Sequence, residues 1–242
     1  GVMLSHYSAL KVAEQFSMLD SFYPNRIDLG IGRAPGSDRK TAVALAYPRN
    51  VMDVQQDFPQ MVQDLTSFLN EGPIDNHHLN GISAQPGKLK ETSPAIWLLG
   101  SSDYSARLAA EMGLPFSFAD FFGNTSEYGP QITDLYRKLF EPSKFLAAPI
   151  VNVSLQVTCA PTEQEARFVG SSRNLNKIIS RLGLSTQGLI PPEEAMDWPL
   201  DSYAREYMEQ SSQSNIEGEP DQVKERILMA AERYQTGDIG IV

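Results

Sequence analysis

The sequence predicts an α/β fold on a parallel sheet, of the (β/α)8 barrel type, with about six of the eight strands present. Three observations carry this. Short apolar runs alternate with stretches whose apolar residues recur every three to four positions, the pattern of strands alternating with amphipathic helices. Nearly every strand run is followed by a helix run, the order of parallel strands joined by crossovers. The strand-to-helix connections are short, while two irregular polar stretches, about 71–94 and 184–218, have the character of insertions. A doubly wound open sheet shares the first two features, and the third favours the barrel. Residues 1–242 are expected to form a single partial barrel domain, with no solenoid-period repeat.

The elements follow in order. Val2, Met3 and Leu4 end the first strand, and a helix is expected over 9–23 with Val12, Phe16, Leu19 and Tyr23 on one stripe until Pro24 and Asn25 break it. IDLGI (27–31) is a strand, and Asp38 is placed to cap a helix over 39–47. A helix over about 54–70 gathers Met61, Leu65, Phe68 and Leu69 on one face. Strand AIWLL (95–99) runs straight into Gly100, Ser101 and Ser102 and then into a helix that buries Leu108, Ala109 and Met112 and stops at Gly113. Strand PFSFA (115–119), a helix near 130–140, a strand over 150–158, helices over 162–182 and 220–234, and a last strand DIGIV (238–242) complete the chain.

Composition narrows the function. With 41% hydrophobic residues the chain can bury a core, and no run reaches the eighteen or so apolar residues of a membrane span. The opening GVMLSHYS lacks the charged-then-apolar order of a secretory leader, so the cytosol is the expected compartment. A net charge of -10 without a basic stripe argues against nucleic acid. Cys159 is the only cysteine, which excludes an internal disulfide, and it is expected as a small buried apolar side chain.

In either parallel architecture the functional edge is the carboxyl end of the strands. Ser5 and His6 follow the first strand, Gly32 and Arg33 the second, Gly100, Ser101, Ser102, Asp103, Tyr104 and Ser105 the third, and Asp120, Phe121 and Phe122 the fourth. Gly100 permits close approach of backbone to a ligand, three serines supply hydroxyls, the new helix supplies free N–H groups, and Arg33 supplies a planar fork of donors. Each hydrogen bond to a charged partner contributes roughly 1.5–3 kcal/mol, so several together outweigh an acidic surface screened beyond about 8 Å, and the set points to a phosphate. Ser101 and Ser102 equally suit plain helix capping, and Arg33 alone suits a surface ion pair. His6 can line the same edge or face solvent. GIGRAPG fails as a dinucleotide fingerprint because its third glycine is one residue late and Pro35 interrupts. The second Gly-Ser-Ser, 170–172, has no strand before it and reads as helix, and the adjacent His77 and His78 lack a third ligand for a metal. No catalytic residue emerges from spacing alone.

Three ordered segments, GVML with LKVAEQF after it, YPNRIDLGIGRAPG, and IWLLGSSDYSARLAAEMGLPFSFA, resemble the bacterial luciferase-like flavin monooxygenases, in particular their alkanal-monooxygenase-like branch. The resemblance implies a (β/α)8 barrel that uses reduced FMN and molecular oxygen on a small organic substrate, with a deazaflavin in some branches. It implies a separate flavin reductase as partner and a homodimer. It also implies two strand–helix units and most of a third strand ahead of GVML, and a closing helix behind 238–242. By the same resemblance, Arg33, Ser102, Tyr104 and Ser105 hold the flavin phosphate. Gly1, Val2 and Met3 lie against the isoalloxazine ring, where relatives often carry a non-proline cis peptide. Two further readings stand beside this one: a deazaflavin-dependent oxidoreductase on the same scaffold, and a non-catalytic flavin-binding protein.

Overall fold

The structure is a computed structural model that describes residues 1–36, 38–70, 79–86, 92–122, 125–183, 188–212 and 214–242. Its main sheet has six strands in the order β1-β2-β3-β4-β5-β8, and β6 and β7 form a separate two-stranded sheet. The chain divides into two compact units, one made of Gly1–Gly100, Tyr104–Ser117 and Leu139–Pro149, the other of Ser101–Asp103, Phe118–Lys138 and Ile150–Val242.

In the first unit, β1 (Val2–Met3) pairs in parallel with β2 (Asp28–Gly32), and β2 with β3 (Ala95–Gly100). The register sets Leu29 opposite Ile96 and Ile31 opposite Leu98. All four are buried, as the alternation of a pleated strand requires when one face is covered by helices. The helices are α1 (Ala9–Phe22), α2 (Arg39–Ala46), α3 (Val51–Gln56), α4 (Phe58–Asn70) and α5 (Asp103–Glu111). Asp38 caps α2 as expected, its carboxylate accepting from the N–H of Lys40 at 2.8 Å and of Thr41 at 3.1 Å. The helix expected over 54–70 is two helices divided at Asp57. Leu65, Phe68 and Leu69 are buried on α4, with Met61 half-buried.

The stripe expected on α1 holds only at its start. Val12 is buried and Phe16 half-buried, whereas Leu19 and Tyr23 are 40% and 52% exposed. The buried residues are instead Val12, Ala13 and Asp20, a face displaced around the helix. Asp20 accepts a 2.6 Å hydrogen bond from Thr92, whose place in the polar 71–94 stretch gave no sign of that partnership.

In the second unit, β5 (Val151–Leu155) pairs in parallel with β8 (Asp238–Ile241). Helix α6 (Thr125–Leu139) follows β4 (Phe116–Asp120), and α10 (Pro220–Tyr234) precedes β8. Phe118, Tyr136, Val153, Leu155 and Tyr234 are buried to within 2% and form the centre of this unit.

The single strand expected over 150–158 is two strands, β5 and β6 (Val157–Cys159), with Gln156 between them. The described residues of the 184–218 stretch hold more regular structure than its composition suggests. It holds α8 (Pro192–Met196), α9 (Ser202–Ser212) and β7 (Ile216–Gly218), which pairs in parallel with β6. Those helices escape a periodicity search because the buried residues of α9 are Ala204 and Ser211, and α8 has none. The Gly-Ser-Ser of 170–172 lies inside α7 (Glu163–Arg181), as expected. Cys159 is exposed, contrary to expectation, because it ends a strand paired only with β7. In the 71–94 stretch, residues 80–86 and 92–94 carry no strand or helix, and His77 and His78 lie outside the described residues. No helix among the described residues is long and apolar enough to cross a membrane.

Candidate functional site

The carboxyl ends of β1, β2 and β3 bring a compact set of residues together within the first unit. Ser5 and His6 form a 3-10 turn directly after β1 and reach the loop after β2. The Ser5 hydroxyl donates to the Arg33 carbonyl at 3.1 Å, and His6 Nε2 lies 3.0 Å from the Pro35 carbonyl. A carbonyl can only accept, so Nε2 carries the proton, and Nδ1 is left buried without a hydrogen-bond partner among the described residues. His6 therefore pins the 33–36 loop rather than standing in solvent. The same loop is closed from the other side at Gly36, whose φ of +62° needs a glycine and whose Cα faces the Met3 sulfur, 2.2 Å from where a Cβ would sit.

That pinned loop aims Arg33. Its guanidinium lies over the Tyr104 ring, 3.9 Å from the centroid, and has no carboxylate partner among the described residues. The ring face attracts the cation without taking a conventional hydrogen bond from its N–H groups. Arg33 and Tyr104, predicted from separate strand ends, are thus in contact.

Ser105 is also in this set, but not as an open hydroxyl. It is 9% exposed and sits against Gly100; a Cβ added there would lie 2.3 Å from its Oγ. The missing Cβ at Gly100 makes room for Ser105 itself. The open glycine of the two is Gly32, at the end of β2 just before Arg33, where a Cβ would meet no atom within 4 Å among the described residues beyond its chain neighbours. Periodicity could not tell these two glycines apart, because the difference depends on what the next strand places opposite. Ser101 and Ser102 belong to the second unit, half-buried and exposed respectively, directly ahead of α5. Gly1, Val2 and Met3 line the edge strand β1, exposed or half-buried. The cis peptides among the described residues are Tyr47-Pro48 and Gln85-Pro86, so 1–3 carries none, and the feature often found in relatives is absent here.

A second polar cluster lies in the second unit beyond β4 and β5; Asp120 and Phe121 stand at the strand end the sequence marks, whereas Lys177, Asn174 and Asn215 carry no sequence signal of their own. Lys177 of α7 donates to the Phe121 carbonyl at 2.9 Å, to the Gln156 side-chain oxygen, and at 3.5 Å to Asn215. Burial chiefly, and then the neighbouring Arg173 cation, lower its amine to about 8. Asn174 donates to Glu217 and accepts from Asn215, and Arg173 reaches Thr158 and Glu217. At the end of β4, Asp120 is 2% exposed, with one oxygen accepting from Thr125 at 2.9 Å and the other from Tyr234 at 2.7 Å. Burial raises the Asp120 carboxyl above its ordinary value, and the two hydroxyl donors oppose that rise only in part. The sequence signals were present but dispersed, since Lys177 and Asn215 are 38 residues apart.

Parallel strands joined through helices, with polar side chains gathered just past the strand ends, define an enzyme scaffold of the (β/α)8 type, here with an incomplete wall. The chain belongs to the luciferase-like monooxygenases, whose family pattern matches residues 1–236. It is 39% identical over 197 residues to the luciferase-like monooxygenase of Escherichia coli K12, an alignment covering 81% of this chain and 56% of that one. Among solved structures it superposes on apo-MsnO8 with a TM-score of 0.79 and 32% identity, covering 100% of this chain and 70% of the other. The oxygenating constituent of 3,6-diketocamphane monooxygenase from Pseudomonas putida, solved in complex with FMN, shares the fold at a TM-score of 0.60 and 18% identity. That match covers 99% of this chain and 70% of the other.

Proposed function

We propose that this chain carries the flavin-binding portion of a monooxygenase that uses reduced FMN and molecular oxygen on a small organic substrate. The observation that supports it most is the Arg33 guanidinium, stacked on Tyr104 without a carboxylate partner among the described residues. Such a cation, at the carboxyl end of a barrel strand, suits a phosphate monoester.

In this reading Arg33, with the start of α5 at Tyr104 and Ser105, takes the terminal phosphate. Tyr104 holds the guanidinium flat, and Ser105 fixes the turn by filling the space beside Gly100. Gly1, Val2 and Met3 form the edge on which the ring system rests, and Gly32 leaves the β2 end open to it. Ser5 and His6 keep the Arg33 loop in place through its carbonyls, so the binding geometry exists before the cofactor arrives. Reduced flavin held there would supply the two electrons and two protons by which one atom of dioxygen enters a substrate and the other leaves as water. A flavin reductase supplies the reduced cofactor, and a homodimer is the expected assembly.

Titration with FMN tests the phosphate grip. Arg33→Ala is expected to weaken binding by about ten-fold to a hundred-fold, the loss of one or two charge-assisted hydrogen bonds. Separately, the pair Ser102→Ala with Ser105→Ala is expected to weaken it. Unchanged affinity in both variants removes the assignment. Oxygen uptake in the presence of reduced FMN distinguishes an oxygenase from a binding protein. A blue-shifted absorbance of the copurified cofactor would mark a deazaflavin enzyme instead.

A further inference from the structure

Within the second unit, α10 presents Arg226, Met229, Ala230 and Arg233 at positions i, i+3, i+4 and i+7, one continuous stripe. All four line a cavity of about 200 Å³, with Ser126, at the start of α6, and Asp120, at the end of β4, on the facing walls. The two arginines are held differently. Arg226 is half-buried, and its guanidinium donates to the backbone carbonyls of Asn215 at 2.7 Å and Glu217 at 3.4 Å, which fixes its direction. Arg233 is 49% exposed, and its nearest nitrogen is 3.7 Å from Asp120, too far for a hydrogen bond. Asp120 forms an ion pair with Arg233 at that distance, but its two oxygens take their hydrogen bonds from Thr125 and Tyr234, so the N–H donors of Arg233 are not spent on it.

We infer that this cavity is a small-anion site, distinct from the Arg33 site, built to take a phosphate group between Arg226 and Arg233. Two guanidinium groups against one fully hydrogen-bonded carboxylate leave the wall cationic. The net charge of -10 does not cancel a local field inside a Debye length of about 8 Å. The volume decides the ligand class. It falls below the roughly 300 Å³ at which pockets begin to hold drug-sized molecules, so the cavity admits an oxyanion head and excludes a flavin ring. Planar, forked donors favour a tetrahedral or carboxylate-like oxyanion over a halide. The phosphate has two possible sources, free inorganic phosphate or the tail of a nucleotide.

The test is calorimetric titration of the 242-residue chain with inorganic phosphate in a sulfate-free buffer. Saturable binding that survives Arg33→Ala is expected. Arg233→Gln is expected to weaken it about ten-fold, and Arg233→Glu to abolish it. Arg226→Gln should act in the same direction, but it also releases two backbone carbonyls. The exposed Arg233 variants, confirmed as folded by circular dichroism, are therefore the decisive ones. Phosphate affinity untouched by both Arg233 variants, or lost in Arg33→Ala, overturns the proposal. In the Arg33→Ala background, competition by FMN but not riboflavin assigns the phosphate to a nucleotide tail. Competition by neither assigns it to free phosphate, and competition by both refutes recognition through phosphate.

Discussion

Gly100→Ala is the sharpest probe of the proposed cofactor turn. The added methyl would stand 2.3 Å from Ser105 Oγ and 2.5 Å from Ser105 Cβ. The hydroxyl can rotate away, but the Cβ cannot, because it is fixed to the backbone of α5 (Asp103–Glu111). Either the strand end or the first turn of the helix must move, an overpacking cost of about 1–3 kcal/mol. With a urea dependence of about 1–3 kcal/mol per molar, the midpoint should fall by roughly one molar. FMN affinity should fall in parallel, since the displaced turn is the one proposed to meet the phosphate. A companion variant isolates the clash. Ser105→Gly removes both obstructing atoms at a cost of about 0.5–1 kcal/mol for glycine in a helix. The double variant should therefore be more stable than the sum of the two single losses by about 1–2 kcal/mol. Ser105→Ala keeps the Cβ and should rescue little. If Gly100→Ala unfolds within about 0.5 kcal/mol of the parent, or the two changes simply add, the steric account of this turn is wrong.

Two further outcomes concern the second unit. Tyr234→Phe deletes one of the two hydroxyl donors to the buried Asp120 carboxylate and should cost about 2 kcal/mol in chemical denaturation, and a neutral result would show that the carboxylate does not depend on it. Lys177 has its amine lowered from 10.5 to about 8, so between those values the unfolded chain binds more protons than the folded one and stability contributed at this site rises with pH. The parent should therefore gain stability relative to Lys177→Met from about pH 8 to about pH 10.5, and a difference that stays flat or moves the other way across that window contradicts the burial of this amine.

Strands and long helices were legible wherever a core face repeats in sequence. Leu29 and Ile31, Ile96 and Leu98, and the α4 residues Leu65, Phe68 and Leu69 all fall where the pattern put them. The α1 stripe was misread because apolar residues at helical spacing do not say which of them a neighbour covers, and Leu19 and Tyr23 are exposed while Asp20 is buried. The contact of Arg33 with Tyr104 agrees with the strand-end argument, which needs only register. What composition hid was anything made of small or polar residues, such as α9 with its Ala204 and Ser211 face, or the Lys177 cluster drawn from four separated segments. Those contacts exist only once the chain has folded, and no local spacing encodes them.

The Lys177 cluster has a mechanical consequence. The excursion after β5 keeps an apolar nucleus of its own, in which Leu175, Ile179 and Ile190 gather Trp198 and Leu200. Its tie at Lys177 to the ends of β4 and β5 is made of an amine, amides and a carbonyl. Water can replace such partners at small loss, whereas it cannot replace packed hydrocarbon. This seam is therefore where the unit should part first under thermal agitation, and hydrogen exchange should find α7 and α9 opening as a body while β5 and β8 stay protected.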